Sequence, residues 1–239
     1  MADLAVQGAR RIWVTRASPG AEATAARLRA MGFAPLVDPL LEVRNLSPTI
    51  DLSGVAALAF TSVNGVVAFA RLDADRTRPV FAVGDRTGRA AREVGFADVA
   101  SADGDVEALA GVIVGQASRL DGAVLHPSAL EPAGDLLSPL AAAGLSAQRV
   151  AVYETFERDP ASTTLAALDH LDAVLLHSPR AARRLSQLLI GRPTPSLRAL
   201  CLSAAVAEPL EALVQAGALA FVAFAPHPIE TGLLDLLML

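Results

Sequence analysis

Lysine is absent from this chain: all twenty basic residues among its 239 are arginine. Without lysine there is no Schiff-base nucleophile, no covalent pyridoxal phosphate and no lysine of a phosphate-binding P-loop. The single cysteine, Cys201, excludes an internal disulfide and every multi-cysteine zinc or iron–sulfur centre. The four histidines show no HxxxH spacing, and tyrosine and tryptophan each occur once. The catalytic inventory reduces to arginines, hydroxyls, carboxylates, one tyrosine and a few imidazoles. Long apolar runs are missing too. The longest, Ala218 to Ala225, is far shorter than the roughly 20 residues a membrane-spanning helix needs.

What is present describes a folded α/β protein. At 53% hydrophobic and 19% charged, the chain can bury a large core. A net charge of −5 argues against a nucleic-acid partner that depends on phosphate neutralisation. The opening MADLAVQGARR has no apolar h-region, so a cytoplasmic protein without membrane attachment is expected. β-like runs at Ile12–Thr15, Ala57–Phe60 and Val80–Val83 precede helix-like segments at 21–31, 65–72 and 87–94. The first and third of these helices are followed by Gly32 and Gly95 as candidate helix stops. This alternation predicts parallel sheets covered by helices.

The second half repeats the first. Three successive strand–helix segments align in order, placing Thr15 opposite His126, Ser62 opposite Ser178 and Gly84 opposite Ser203. Extended segments at 34–48 and 146–160 predict a two-stranded ribbon. The expected organisation is two similar parallel-sheet α/β domains, one of residues 10–35 and 161–239 and the other of 53–145. A two-stranded β-ribbon of 36–52 and 146–160 joins them, and the active-site cleft is expected between them.

In such sheets ligands bind beyond the carboxyl ends of the strands, among helix N-termini. Six polar groups stand there in the sequence: Thr15–Arg16; Thr61, Ser62 and Asn64; Gly84 and Thr87; His126–Ser128; His177, Ser178 and Arg180; and Ser203. Each suits carboxylate or phosphate oxygens, and each serine or threonine is equally explained as a helix cap. His126 and His177, both after apolar runs, read equally as structural imidazoles. Tyr153, in the alternating segment AVYETF, is either a packing residue of the ribbon or a proton donor to a bound group.

Taken in order, VTRASPGAEATAARLRAMGFAPLVDPLLEV, AFTSVNGVVAF, VFAVGDRT, AGDLLSPLAAAGL, AVYETF, LLHSPRAARRL and CLSAAVAEPL resemble the uroporphyrinogen-III synthase family over nearly the whole chain. The resemblance implies two α/β domains joined by a ribbon. It also implies a lyase that closes hydroxymethylbilane with loss of water and inversion of the last pyrrole ring, using no metal and no organic cofactor. Tyr153 matches the family's ribbon tyrosine, implying the acid for the leaving hydroxyl. Arg16, Thr61, Ser62, Asn64, Gly84, Thr87 and Ser178 match its strand-end turns and imply substrate contacts. His177 stands where the family usually has threonine, Ser128 where many members have arginine, and Ala205–Val206 where two threonines are usual. Backbone N–H groups, Ser203 and Arg180 are expected to take over there. A monomer in transient contact with the preceding pathway enzyme completes the expectation. The alternative is a two-lobed module that binds a small anion without catalysis.

Overall fold

The computed structural model of the chain describes residues 8–18 and 20–239. Its strands are β1 (Arg11–Val14), β2 (Ala34–Val37), β3 (Leu41–Asn45), β4 (Val55–Phe60), β5 (Val80–Ala82), β6 (Val99–Ser101), β7 (Ala123–Ala129), β8 (Ala147–Glu157), β9 (Ala173–Leu176), β10 (Thr194–Cys201) and β11 (Leu219–Phe224). Its α-helices are α1 (Gly20–Ala30), α2 (Val63–Leu72), α3 (Asp85–Glu93), α4 (Val106–Gly115), α5 (Leu137–Ala142), α6 (Ser162–Ala166), α7 (Pro179–Leu189), α8 (Ala204–Ala207), α9 (Glu211–Gln215) and α10 (Glu230–Asp235). Two compact units result among the described residues, the first from 8–42 and 156–239 and the second from 43–155.

The first unit holds a sheet in the order β11-β10-β9-β1-β2, with every pair parallel. The central parts of its strands, Ile12–Val14, Ala173–Leu176 and Ala199–Cys201, are apolar because both faces are buried there. Trp13, Val174, Leu176 and Leu197 pack with Leu185 and Leu189 of α7 on one face. Ile12, Val14, Leu175 and Leu200 pack with Leu28 of α1 and Leu233 of α10 on the other. Helix α1 stops where Gly32 takes φ +83°, a conformation that costs glycine little. The buried Asp38 accepts from Ala161 N–H at 2.8 Å and Thr164 Oγ1 at 2.6 Å, tying the end of β2 to the start of α6.

The second unit holds a sheet in the order β3-β8-β7-β4-β5-β6. Leu58, Phe60, Val66, Phe69 and Phe96 fill one face, with ring centroids 5.8 to 6.3 Å apart among the three phenylalanines. Ala57, Ala59, Phe81, Leu109, Ile113 and Leu140 fill the other. Truncating Phe69 there costs about 3–5 kcal/mol. The ribbon strands form the edge of this sheet. Leu46 N–H donates to Val152 O and Arg158 N–H to Leu40 O, each at 2.9 Å, an antiparallel pattern.

The repeat emerges as a shared topology. In the first unit β1 lies between β2 and β9. In the second, β7 lies between β8 and β4, so β7 corresponds to β1, β4 to β9 and β5 to β10. Chain order therefore reverses between β1 and β9 in one unit and between β7 and β4 in the other. These are the switch points where ligands of parallel sheets sit.

Candidate functional site

In the second unit, β4 ends at Phe60 and delivers Thr61 and Ser62 to its carboxyl edge. Ser62 caps α2 with an extended backbone (φ −158°, ψ 153°), and its Oγ accepts from Gly65 N–H at 3.0 Å. The same Oγ lies 2.8 Å from the Tyr153 hydroxyl of β8. Gly65 is required: a Cβ there would stand 2.8 Å from the Pro127 carbonyl oxygen. Tyr153 is 8% exposed and packs with Ala68 and Val152. Burial raises its phenol above the ordinary value, and the Ser62 contact lowers it by less, so the ring stays a neutral phenol at physiological pH.

Thr61 Oγ1 lies 3.1 Å from Nε2 of His126, which is 2% exposed. Burial, with the Arg149 guanidinium as a second cause, depresses this imidazole to about 4, so it is neutral at pH 7. The sequence places His126 and Ser128 just beyond a strand; the structure puts both inside β7. The ladder with β8 runs on to Ala129, whereas pairing with β4 stops at Leu125. That leaves Pro127 free of any ladder bond its missing N–H would have to make. Ser128 Oγ donates to the Ala129 carbonyl at 2.9 Å.

The neighbouring strand end brings Gly84 beside this pair, since Val83 N–H donates to Phe60 O at 3.0 Å. Gly84 caps α3 with extended backbone and open space around its α-carbon. Thr87 is buried in the first turn of α3, and Asn64 is half-buried in that of α2.

In the first unit, Ser178 repeats Ser62: it caps α7 with φ −149° and ψ 150°, and its Oγ accepts from Ala181 N–H at 3.2 Å. Pro179 follows as the first helical residue, where a missing N–H costs nothing. Ser203 caps α8 by backbone alone, beside it in the sheet through Leu202 N–H to Leu176 O at 2.9 Å. Arg180, one residue into α7, stands 3.9 Å from Glu157. Thr15 Oγ1 donates to Leu175 O of β9 at 2.6 Å.

Arg16 meets a partner absent from the sequence expectation. Its Nη1 donates to Glu230 Oε2 at 2.8 Å, and its side chain lies over Gly20, where a Cβ would be 2.4 Å from Nε. Glu230 also accepts from Thr24 Oγ1 at 2.5 Å and lies 3.1 Å from His177 Nε2. Burial works to raise the Glu230 carboxyl. The His177 and Thr24 hydrogen bonds and the adjacent charges of His177 and Arg16 outweigh it and bring it to about 2. Glu230 opens the short helix α10. Nothing local signals that it reaches Arg16. His126 had one signal, its place opposite Thr15 in the repeat: both reach from the first strand of the motif to the next one.

The structure thus joins Ser62 to Tyr153 and Thr61 to His126 in one unit, and both Arg16 and His177 to Glu230 in the other. Among the described residues no cluster of acids, histidines and cysteine suits a metal ion. No helix among them is long and apolar enough to cross a membrane.

Comparison with known proteins adds the family. Residues 22–219 match the family model described as Uroporphyrinogen-III synthase HemD. No curated protein sequence matches the chain. Two solved structures share its fold at 19% identity. Uroporphyrinogen-III synthetase from Helicobacter pylori superposes with a TM-score of 0.63, covering 96% of this chain and 98% of that one. A mutant uroporphyrinogen III synthase from the extremely thermophilic bacterium Thermus thermophilus gives 0.56 over the same shares.

Proposed function

The chain belongs to the uroporphyrinogen-III synthase family, and on that premise we propose that it closes hydroxymethylbilane to uroporphyrinogen III, with Tyr153 assisting departure of the terminal hydroxyl. Membership makes it a lyase-type enzyme of tetrapyrrole synthesis; the finer class we assign is a hydro-lyase. The observation that carries the mechanism is the 2.8 Å contact between Ser62 Oγ and the Tyr153 hydroxyl at a topological switch point.

The chemistry asks little of side chains. As the C–O bond breaks, the departing hydroxyl takes the phenol proton and leaves as water, and the electron-rich pyrrole supplies the electrons to form an azafulvene cation. The substituted carbon of the last ring attacks this cation to give a spiro intermediate, which fragments and recloses with the ring inverted; loss of the proton from the newly joined ring carbon restores the pyrrole and returns the proton spent on the leaving group. A buried phenol of raised pKa is a poor acid in isolation. It serves as a neutral donor whose hydrogen bond strengthens as the leaving oxygen gains negative charge. Gly65 N–H fixes Ser62 Oγ, and in the arrangement we propose Ser62 is the donor of its contact with the phenol oxygen. The phenol proton then points at the leaving group, polarised by the chain behind it.

The remaining task is holding a flexible polycarboxylate so that closure at the substituted carbon outruns closure at the free position. For its acid arms we propose Thr61, Asn64, Thr87 and the backbone N–H groups of Ser62 and Gly84 in the second unit, the Ser62 hydroxyl proton being given to Tyr153. Arg16, Ser178, Arg180 and Ser203 serve in the first. Arginine forks and capped helix starts bind carboxylates without lysine. We read the protein as a cytoplasmic monomer, with transient contact to the enzyme that supplies the bilane. The family match leaves no support for the anion-binding module. Incubation with freshly generated hydroxymethylbilane and identification of the porphyrinogen isomer tests the function.

A further inference from the structure

His126 has no part in the family-based reading, and its surroundings are unusual. The ring is 2% exposed, its Nε2 is 3.1 Å from Thr61 Oγ1, and its Nδ1 is buried with no hydrogen-bond partner among the described residues. One face of the residue borders a cavity of about 510 Å³ that Glu131, Asp135 and Arg149 also line. A neutral imidazole carries its proton on one nitrogen only. A proton on Nδ1 would bury an unpaired N–H donor, a rare and costly arrangement, whereas a bare acceptor there is tolerated more readily.

We infer that His126 is a positioning residue: it holds its proton on Nε2, donates it to Thr61 Oγ1, and thereby turns the Thr61 hydroxyl proton outward as a donor to a substrate oxygen. A threonine hydroxyl that accepts from the imidazole must place its own proton elsewhere, and no other partner of the Thr61 side chain stands among the described residues. The two adjacent hydroxyls at the end of β4 are then set from behind by different strands. Thr61 is oriented by His126 of β7, and Ser62 is linked to Tyr153 of β8. The ligand class is a carboxylate or hydroxyl oxygen, which in the proposed reaction belongs to the bilane. That functional half rests on the synthase reading; the tautomer does not.

Long-range 1H–15N correlation spectra of the full-length labelled chain, with His126 assigned by its loss in H126Q, read the tautomer directly. The expected pattern is Nε2–H, unchanged between pH 8 and pH 5.5. The charged groups that line the cavity beside the ring are Arg149, Glu131 and Asp135, and repeating the spectra in R149Q controls for the one whose charge acts on the imidazole. An Nδ1–H pattern, or protonation near pH 6.5, overturns the inference. In turnover, T61V and H126L raise KM by about five- to tenfold with kcat changed by less than about threefold, and the double variant is no worse than T61V. H126Q, whose amide can still donate, recovers most of the H126L loss. Additive effects, or a folded H126L with unchanged KM, overturn it. If the wild-type chain yields only the uninverted isomer, the synthase reading fails while the spectra still decide the tautomer.

Discussion

Arg16 and Glu230, 214 positions apart in sequence, meet at 2.8 Å and tie the C-terminal helix to the end of the first strand. The pair is four-fifths buried, and Thr24 and His177 also hydrogen-bond the carboxylate. E230A leaves Arg16 and His177 without their acid and is expected to cost about 1–3 kcal/mol at pH 7 in urea unfolding. Because the folded-state pKa is depressed to about 2 from an ordinary 4.5, the carboxylate contributes its full stability above pH 4.5 and loses it as pH falls through 2. The gap between wild type and E230A therefore closes below that pH. A gap that persists there contradicts the assignment.

His126 titrates in the same direction in a higher window. Its folded pKa is about 4 against an ordinary 6.5, so its contribution is complete above pH 6.5 and is lost on acidification toward 4. The amount is of order 3 kcal/mol. In H126Q the fall in unfolding free energy across this window flattens. An unchanged slope means the ring is not the buried neutral group described.

Gly65, in the first turn of α2, and Gly84, the N-cap of α3, respond differently to an added methyl. In G65A the Cβ meets the Pro127 carbonyl at 2.8 Å, and a loss of about 1–3 kcal/mol is expected as a lowered Tm. At Gly84 nothing lies within 4 Å and φ is −165°, so G84A stays within about 0.5 kcal/mol of wild type. Equal Tm shifts would contradict this contrast.

The two-sheet α/β architecture is legible in the sequence for a physical reason. Parallel strands buried on both faces read as unbroken apolar runs, and Ile12–Val14, Ala57–Phe60 and Val80–Ala82 are such runs. The matching caps Ser62 and Ser178 are legible because a hydroxyl before an amphipathic helix is a local signal. What escaped is long-range. Glu230 finds Arg16 only once β1 and α10 share a unit. The extension of β7 through His126 and Ser128 depends on its ladder with β8, which no residue within the strand announces.

For Tyr153, removing only the hydroxyl separates chemistry from packing. Y153F keeps the contacts with Ala68 and Val152, and its stability falls by no more than about 1 kcal/mol. Its kcat falls by about 10- to 100-fold. Unchanged turnover in a folded Y153F removes the phenol from the reaction.

The product isomer tests the central claim most directly. Freshly generated hydroxymethylbilane closes by itself to the uninverted type I porphyrinogen, so the wild-type chain competes against a defined background. With the chain present in increasing amount, the type III isomer is expected to become the dominant product, in proportion to active protein. A mixture that stays type I at every protein concentration would contradict the account.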